Sequence, residues 1–359
     1  MKFVFVLLMV LLSAFGQFAS CAASINGREY VPLADWGAVN GLKPLWLKRG
    51  DEIQLSNRST QLVFNRNSGM VNINGVNVEM SFPLAVDRGV PLVAQFDLDK
   101  TISPLLNPSR YGDTRKITTI CIDPGHGGKD TGEHFGAYNE KVYTLALAME
   151  LRDQLRQAGF DVVMTRKSDK YIPLTDRAAI ANSHNADLFI CLHFNASPTD
   201  RAEIQGPETY CITPVGANSS NAGVESSEFG QGGNMASTPG NRNEKGSLLL
   251  AYQLERSLVR NLGANDRGVK RARFQVLRET TMPGVLIEGG FMTHPVEGPK
   301  IFSASYRRQM AAAIVNGILA YQKQTAPPAL HTVPAKGKVL KSAGTGASSQ
   351  AGSETPRNP

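Results

Sequence analysis

Cysteine is scarce in this chain, four residues in 359, which excludes a disulfide-stapled scaffold. Cys121, Cys191 and Cys211 sit in apolar, strand-like runs, where a buried inert thiol is the default, and three thiols allow at most one bridge. Long apolar runs are also missing. After Phe3 to Phe15, broken only by Ser13, nothing approaches the roughly 20 residues that a membrane-spanning helix needs. One-sided charge is weak as well. The net charge is +7, but residues 324–359 hold Lys336, Lys338, Lys341 and Arg357 against Glu354, and Lys2 stands in the leader, which leaves +3 on the body. So small an excess does not argue for a nucleic-acid partner. With 42% apolar and 19% charged residues the composition is near the globular average, which excludes collagen, coiled coil and wholesale disorder. The length suggests one large domain with a small one, or two of medium size.

What is present divides the chain into four parts. Residues 1–23 read as a secretory signal: Lys2 forms the charged start, the apolar run follows, and small residues close it at Ala19 to Ala23. That implies export to the periplasm or cell envelope. Phe18-Ala19-Ser20-Cys21 resembles a lipobox, whose Cys is acylated; ordinary cleavage near Ala22 or Ala23, with Cys21 discarded, is the equal alternative. A membrane contact is therefore expected only through Cys21. Residues 24–112 form a small β-rich domain, with short strands at Tyr30 to Leu33, Ile53 to Leu55, Leu62 to Phe64 and Val71 to Val78 separated by turn residues. Asn26 to Leu33 is echoed by Asp87 to Val93, and each is followed by a stretch suited to a short helix. Residues 324–359 are rich in Ala, Pro, Gly, Ser, Thr and Lys, lack large apolar side chains, and are expected to be a disordered tail.

From residue 115 to 323 strands alternate with helices. Strands are predicted at Ile117 to Asp123, Phe160 to Met164, Asp187 to His193, Glu208 to Thr213, Phe274 to Arg278 and Gly284 to Glu288. Helices are predicted at Asn139 to Ala158, from a Thr175 cap to about Ser183, from a Ser247 cap onward, and at Ser305 to Gln322. This pattern gives an α/β domain, a largely parallel sheet flanked by helices. Residues 214–246 break the rhythm as a long Gly-, Asn- and Ser-rich insertion, the kind that serves as a functional lid or stays disordered.

The residues that carry chemistry stand at strand ends, where open α/β sheets collect ligands. One strand ends in Asp123-Pro124-Gly125-His126-Gly127-Gly128, another in His193-Phe194-Asn195, a third in Glu288-Gly289-Gly290. Glu140 opens a helix one loop after His126, and that loop is long enough to fold back to the same point. Two His and one carboxylate make a catalytic zinc set with a position left for water, and a further carboxylate is then needed as general base. His134, in the same loop, is the alternative to Glu140. Singly, His126 or His193 reads as a buried core histidine; jointly, with Glu140 and Glu288, they do not. Arg177 and Arg267 read as structural partners of carboxylates or carbonyls.

The ordered motifs are specific. Ile122-Asp123-Pro124-Gly125-His126-Gly127-Gly128-Lys129-Asp130-Thr131-Gly132, Asn139-Glu140, Asp187 to Ala196, Arg267-Gly268-Val269-Lys270, Val276-Leu277-Arg278 and Leu286 to Phe291 together resemble the zinc-dependent N-acetylmuramoyl-L-alanine amidases of bacterial cell walls, over about residues 117–322. The resemblance implies one Zn2+ bound by His126, Glu140 and His193, and Glu288 as the catalytic carboxylate; Asn195, two residues after His193, reads as a candidate substrate contact or as a partner of the residues around the metal. It implies peptidoglycan as substrate, cut between muramic acid and the stem peptide's L-Ala. A stem-peptide carboxypeptidase and a non-catalytic wall-binding protein are the competing readings. Cys191 stands where many relatives have Ser, on the face of His193, either as packing or as a competing zinc thiolate. The 214–246 insertion lies where some regulated relatives carry a blocking element, which makes Glu225 and Glu228 candidate inhibitory carboxylates and an activator protein a candidate partner. The region 24–110 is loosely similar to the copper amine oxidase N-terminal-like domain; it has no His and no Cys, so no copper site is implied, and a wall-binding or spacer role is expected.

Overall fold

The computed structural model describes residues 23–108, 116–219 and 236–325. The leader with Cys21, the tail after residue 325, and Glu225 and Glu228 lie outside the described residues.

The N-terminal stretch builds two sets of strands. β1 (Ala23–Ile25) and β2 (Arg28–Pro32) form a hairpin, and the helix Leu33–Val39 follows. β3 (Lys43–Lys48), β4 (Glu52–Ser56), β5 (Gln61–Asn65), β6 (Met70–Ile73) and β7 (Val76–Glu79) form an antiparallel meander. The single run expected at Val71 to Val78 is thus two strands. Asn74 and Gly75, both at positive φ (50° and 84°), turn the chain between them. Both central residues at positive φ is the hairpin turn whose twist matches paired strands, and Asn-Gly is its preferred pair. β8 (Ala85–Asp87) and β9 (Val90–Ala94) form a second hairpin, and β9 pairs with β2. The sequence echo has a structural counterpart: both hairpins turn on two residues at positive φ, Asn26-Gly27 and Arg88-Gly89, and a helix follows each, the second at Gln95–Asp97.

The second stretch supplies β10 (Thr119–Pro124), a small hairpin of β11 (His134–Phe135) and β12 (Tyr138–Asn139), the helix Glu140–Gln157, β13 (Asp161–Met164), the helix Leu174–Ser183, β14 (Leu188–Asn195) and β15 (Glu208–Ile212). The helix Glu244–Leu262, β16 (Val269–Ala272), a helical turn Gln275–Arg278, β17 (Gly284–Phe291) and the helices Glu297–Phe302 and Ala304–Thr325 complete it. β13, β10, β14 and β17 are parallel, as expected. β15 then runs antiparallel to β17, with β16 parallel to β15, so the sheet as a whole is mixed. β16 also pairs with β7 through Val269 and Val78, and one sheet runs through both stretches in the order β13-β10-β14-β17-β15-β16-β7-β6-β5-β4-β3.

Three local expectations are corrected. Phe274 to Arg278 is a helical turn: Leu277 and Arg278 both donate backbone N–H groups to the Phe274 carbonyl. A short apolar run has no period of its own to separate the two states. The helix expected to start at Thr175 starts at Leu174, because Pro173 (φ −56°, ψ 147°) ends the extended chain there. Ser247 lies inside its helix and accepts a hydrogen bond from the Gly284 N–H; the cap is Thr238, which closes a capping box with Asn241 on the short helix Pro239–Asn243 that leads in.

Core forms on both sheet faces. The helices Glu140–Gln157, Glu244–Leu262 and Ala304–Thr325 bury Leu147, Leu151, Leu254, Leu258 and Ile314 in a cluster that continues into Leu55, Phe64 and Val78 of the meander. The other face packs Phe189, Cys191 and Leu286 against Ala181, Phe274 and Val276. Cys121, Cys191 and Cys211 are buried free thiols. Among the described residues no helix is long and apolar enough to cross a membrane.

Candidate active site

β10 lies between β13 and β14, so the chain leaves β10 in one direction and returns on its other side. Ligands gather at the carboxyl ends of strands beside such a reversal, and this is where β10 delivers His126 and β14 delivers His193. The register brings in the rest. His193 is opposite Glu288 on β17, and Glu288 is opposite Glu208 on β15. The hairpin β11–β12 folds the intervening loop back, and the helix it feeds begins with Glu140.

His126, Glu140 and His193 come together, with ligand atoms all within 4.8 Å of one another. Glu140 is 1% exposed and lies between the two rings. One oxygen is 2.9 Å from His126 Nε2 and accepts the Glu133 N–H; the other is 2.9 Å from His193 Nδ1 and accepts the Phe194 N–H. Burial opposes ionisation of Glu140, but the two imidazoles outweigh it and hold the carboxyl far below its ordinary range. His126 Nδ1 lies 3.0 Å from Asp130 Oδ1, which also accepts the Gly132 N–H. Burial pushes the His126 pKa down, and Glu140 and Asp130 more than reverse this, to about 10. The rings of His126 and His193 meet edge to face, 4.7 Å between centroids.

Two glycines are fixed by this packing. A Cβ at Gly125 would lie 2.4 Å from the His193 ring. A Cβ at Gly132 would lie 2.5 Å from the His126 ring and 2.6 Å from a Glu140 oxygen, at a φ of +63° that L side chains rarely adopt. The glycines of the motif thus make room for the imidazoles and for Glu140.

The loop is also held from below. Arg177 is buried and donates Nη1 to Asp123 Oδ1 (2.9 Å) and to the Pro124 carbonyl, Nη2 to the His126 carbonyl, and Nε to the Ile172 carbonyl. Arg166 adds Nε to the Pro124 carbonyl and Nη2 to the carbonyls of Gly125 and Lys141. Burial raises the Asp123 pKa, while Arg177 and the hydroxyl of Thr165 lower it more. Cys191 donates its thiol to the other Asp123 oxygen at 3.1 Å, and burial followed by the Asp123 charge pushes that thiol well above its usual range. Cys191 is thus a buried packing group under the site, with its thiol turned to Asp123 and outside the His-Glu-His cluster.

His134 lies exposed on the hairpin outside the cluster, which leaves Glu140 as the residue the fold brings to the two histidines. His184 closes a helix and His294 caps the backbone N–H groups of Val296 and Glu297. Asn195 donates its amide to Glu208 (2.7 Å). Glu288 is buried beside His193. Asp130, Arg166 and Glu208 are site residues that the sequence reading did not single out. For Asp130 the signal was available, four residues after His126 in the same Gly-rich turn. A cavity of about 280 Å³ opens beside the cluster, lined by His126, His193, Lys129, Tyr171, Phe274 and Val276 among others.

Residues 120–320, more than half of the chain, match the family described as N-acetylmuramoyl-L-alanine amidase. The chain belongs to this family of cell-wall hydrolases. The amidase AmiC of Neisseria meningitidis is 34% identical over 252 residues, which cover 65% of this chain and 58% of the relative, so the chain spans somewhat over half of that protein's length. AmiA of Escherichia coli is 31% identical over 219 residues, 56% of this chain and 75% of the relative. A crystal structure of an N-acetylmuramoyl-L-alanine amidase from Clostridium difficile is 33% identical, covers 58% of this chain and 98% of that one, and has a TM-score of 0.48.

Proposed function

We propose that this amidase is a zinc-dependent, exported peptidoglycan hydrolase, cutting the amide between the lactyl group of muramic acid and the stem peptide's L-Ala. The single observation that carries the reading is the convergence of His126, Glu140 and His193, with Glu288 opposite His193 in register. The donor set fits the metal. Two imidazoles and one carboxylate are the ligands of catalytic zinc sites. Asp130 on Nδ1 of His126 is the outer partner that fixes which nitrogen faces the ion. Zinc held there supplies Lewis acidity at the scissile carbonyl and an attacking water of near-neutral pKa, about 7.

The chain's own residues do the remaining work. Glu288 takes a proton from the attacking water and delivers it to the departing L-Ala nitrogen, so one C–O bond forms, one C–N bond breaks and the proton count balances. Asp130 orients the His126 imidazole, and Arg166 and Arg177 keep the loop between β10 and the hairpin in one shape. Gly289 and Gly290 let β17 pack closely beside Glu288: a Cβ at Gly289 would lie 2.8 Å from the Phe194 ring and one at Gly290 2.6 Å from the Glu297 carboxyl. Peptidoglycan is the partner; an activator protein and a lipid anchor at Cys21 extend the same reading.

Digestion of purified sacculi with and without chelator, followed by mass analysis, tests it. Free stem peptides that begin with L-Ala are expected, and chelator should abolish them. Shortened peptides would instead indicate a carboxypeptidase, and no release a binding protein. Glu288→Gln should retain zinc and lose turnover by several orders of magnitude; an active variant would refute the assigned role.

A further inference from the structure

Beyond Glu288 the sheet carries a second group of polar side chains. The paired registers set His193, Glu288 and Glu208 in one row across β14, β17 and β15. Paired residues share a face and neighbouring strands lie about 4.8 Å apart, so Glu208 is about 5 Å beyond Glu288 and about 10 Å beyond His193. Glu208 is 3% exposed. It accepts hydrogen bonds from Asn195, from the Tyr210 hydroxyl (2.9 Å), from Arg267 Nε (2.9 Å) and from Lys270 Nζ. Burial pushes its pKa up, but Lys270 and Arg267 pull it below the ordinary value, so it stays ionised. Lys270 and Arg267 thus converge on Glu208 at this end of the row, with Glu79 and Glu288 also close by.

The two arginines differ in what they have left to offer. Arg177 is 2% exposed at its side chain and uses all three guanidinium nitrogens on protein acceptors. Arg267 is 30% exposed and spends only Nε, on Glu208. Its Nη1 and Nη2 have no hydrogen-bond acceptor among the described residues, and its guanidinium carbon lies 4.9 Å from the centroid of the Phe291 ring. The fork is braced on one edge, backed by an aromatic ring and open on the other edge, the arrangement that takes a carboxylate through two parallel N–H donors.

We propose that Arg267, with Lys270 beside it and Glu208 as its brace, is a subsite for a carboxylate of the stem peptide, the free α-carboxylate of its second residue. The inference rests on the amidase reading and gives that site a direction. An extended peptide advances about 3.5 Å per residue, which sets the second residue about 7 Å from the scissile amide. That span exceeds the roughly 5 Å step from Glu288 to the Glu208 column and so reaches the guanidinium that Glu208 braces. The peptide therefore leaves the cleaved bond across β17 toward β15 and β16, and the glycan lies on the β10 side of the row.

The test uses the full chain and two soluble muramyl peptides that differ at one group: an α-carboxylate or an α-carboxamide on the second residue. Wild type should cleave the acid with a kcat/KM about 10- to 100-fold above the amide, the range expected for a bidentate charge-assisted pair. Arg267→Gln should bring that ratio to about one, and Arg267→Lys, which keeps charge but not the fork, should give an intermediate ratio. A folding loss lowers both rates alike and leaves the ratio unchanged. Equal cleavage of the two peptides by wild type, or an undiminished ratio in Arg267→Gln, would overturn the subsite and leave the amidase reading standing. Cleavage of neither peptide by a preparation that also releases no stem peptide from sacculi would remove the amidase reading and the subsite with it; cleavage of neither by a preparation that does digest sacculi would overturn the subsite alone.

Discussion

The imidazole of His126 is held at both nitrogens by carboxylates, and the two contacts answer to different substitutions. Asp130 reaches Nδ1 and touches no other member of the His-Glu-His cluster, so Asp130→Asn should leave the fold intact and weaken zinc retention. Loss of such an outer partner typically costs about 10- to 100-fold in affinity, which competition with a chromophoric chelator would read directly. Asp123 is a different case. It is fully buried, paired with Arg177, and its carboxyl is held below the ordinary range. A depressed acid contributes stability above its unfolded pKa of about 3.9 that disappears as pH falls through the folded value. Asp123→Asn leaves Arg177 buried without its counter-charge and should cost about 3–5 kcal/mol at neutral pH. The penalty should begin to shrink below about pH 3.9 and go on shrinking as pH falls through the lower folded value; urea unfolding at about pH 7 and about pH 2.5 would show whether it does.

Among the elements, the helix Glu244–Leu262 carries a buried acid against the seam of the sheet. Glu255 is 0% exposed, accepts the Thr209 hydroxyl (2.7 Å) and the Gly268 N–H, and faces Asp266, which in turn accepts the Asn77 N–H. Burial first, with Asp266 adding to it, pushes the Glu255 pKa well up. For an acid raised on folding the sign is reversed: its contribution is greatest below the unfolded pKa of about 4.3 and falls as pH rises toward the folded value. Glu255→Gln should therefore raise the melting temperature at pH 8 and change little at pH 4. The elements also show what a sequence can carry. His126, His193 and Glu288 were legible because each interrupts or ends an apolar run, His126 and Glu288 beside glycines and His193 within Leu192-His193-Phe194, where a polar side chain has no packing reason to be. Glu140 was legible because a helix start beside a loop is a usable lever. Glu208 was not, because it opens a strand as an ordinary polar residue and its partners Arg267 and Lys270 arrive from a different strand. Phe274 to Arg278 failed for lack of length, and the reversal of β15 failed because strand direction leaves no mark on hydrophobic pattern.

At the scale of the molecule the meander and the helix-flanked strands share one sheet and one apolar cluster. Lys100 forms an ion pair with Glu244, the Tyr252 hydroxyl donates to the Ile73 carbonyl, and Arg271 donates to the Lys100 carbonyl. A fragment spanning 116–325 would expose the β16 edge and the apolar side chains that Leu55, Phe64 and Val78 cover. Such an edge templates association. Size-exclusion chromatography should show the fragment aggregated or much less soluble than the full chain; a monomer of full-chain melting temperature would show that the meander adds nothing to the core. The loop that bears His126 has a further consequence. Its carbonyls at Pro124, Gly125 and His126 are pinned by two arginines that lie beneath the site and touch no ligand atom. The loop is therefore braced by side chains that are not members of the His-Glu-His set. Metal uptake by stripped protein should be a single kinetic phase, with a rate linear in metal concentration and no plateau from a slow rearrangement.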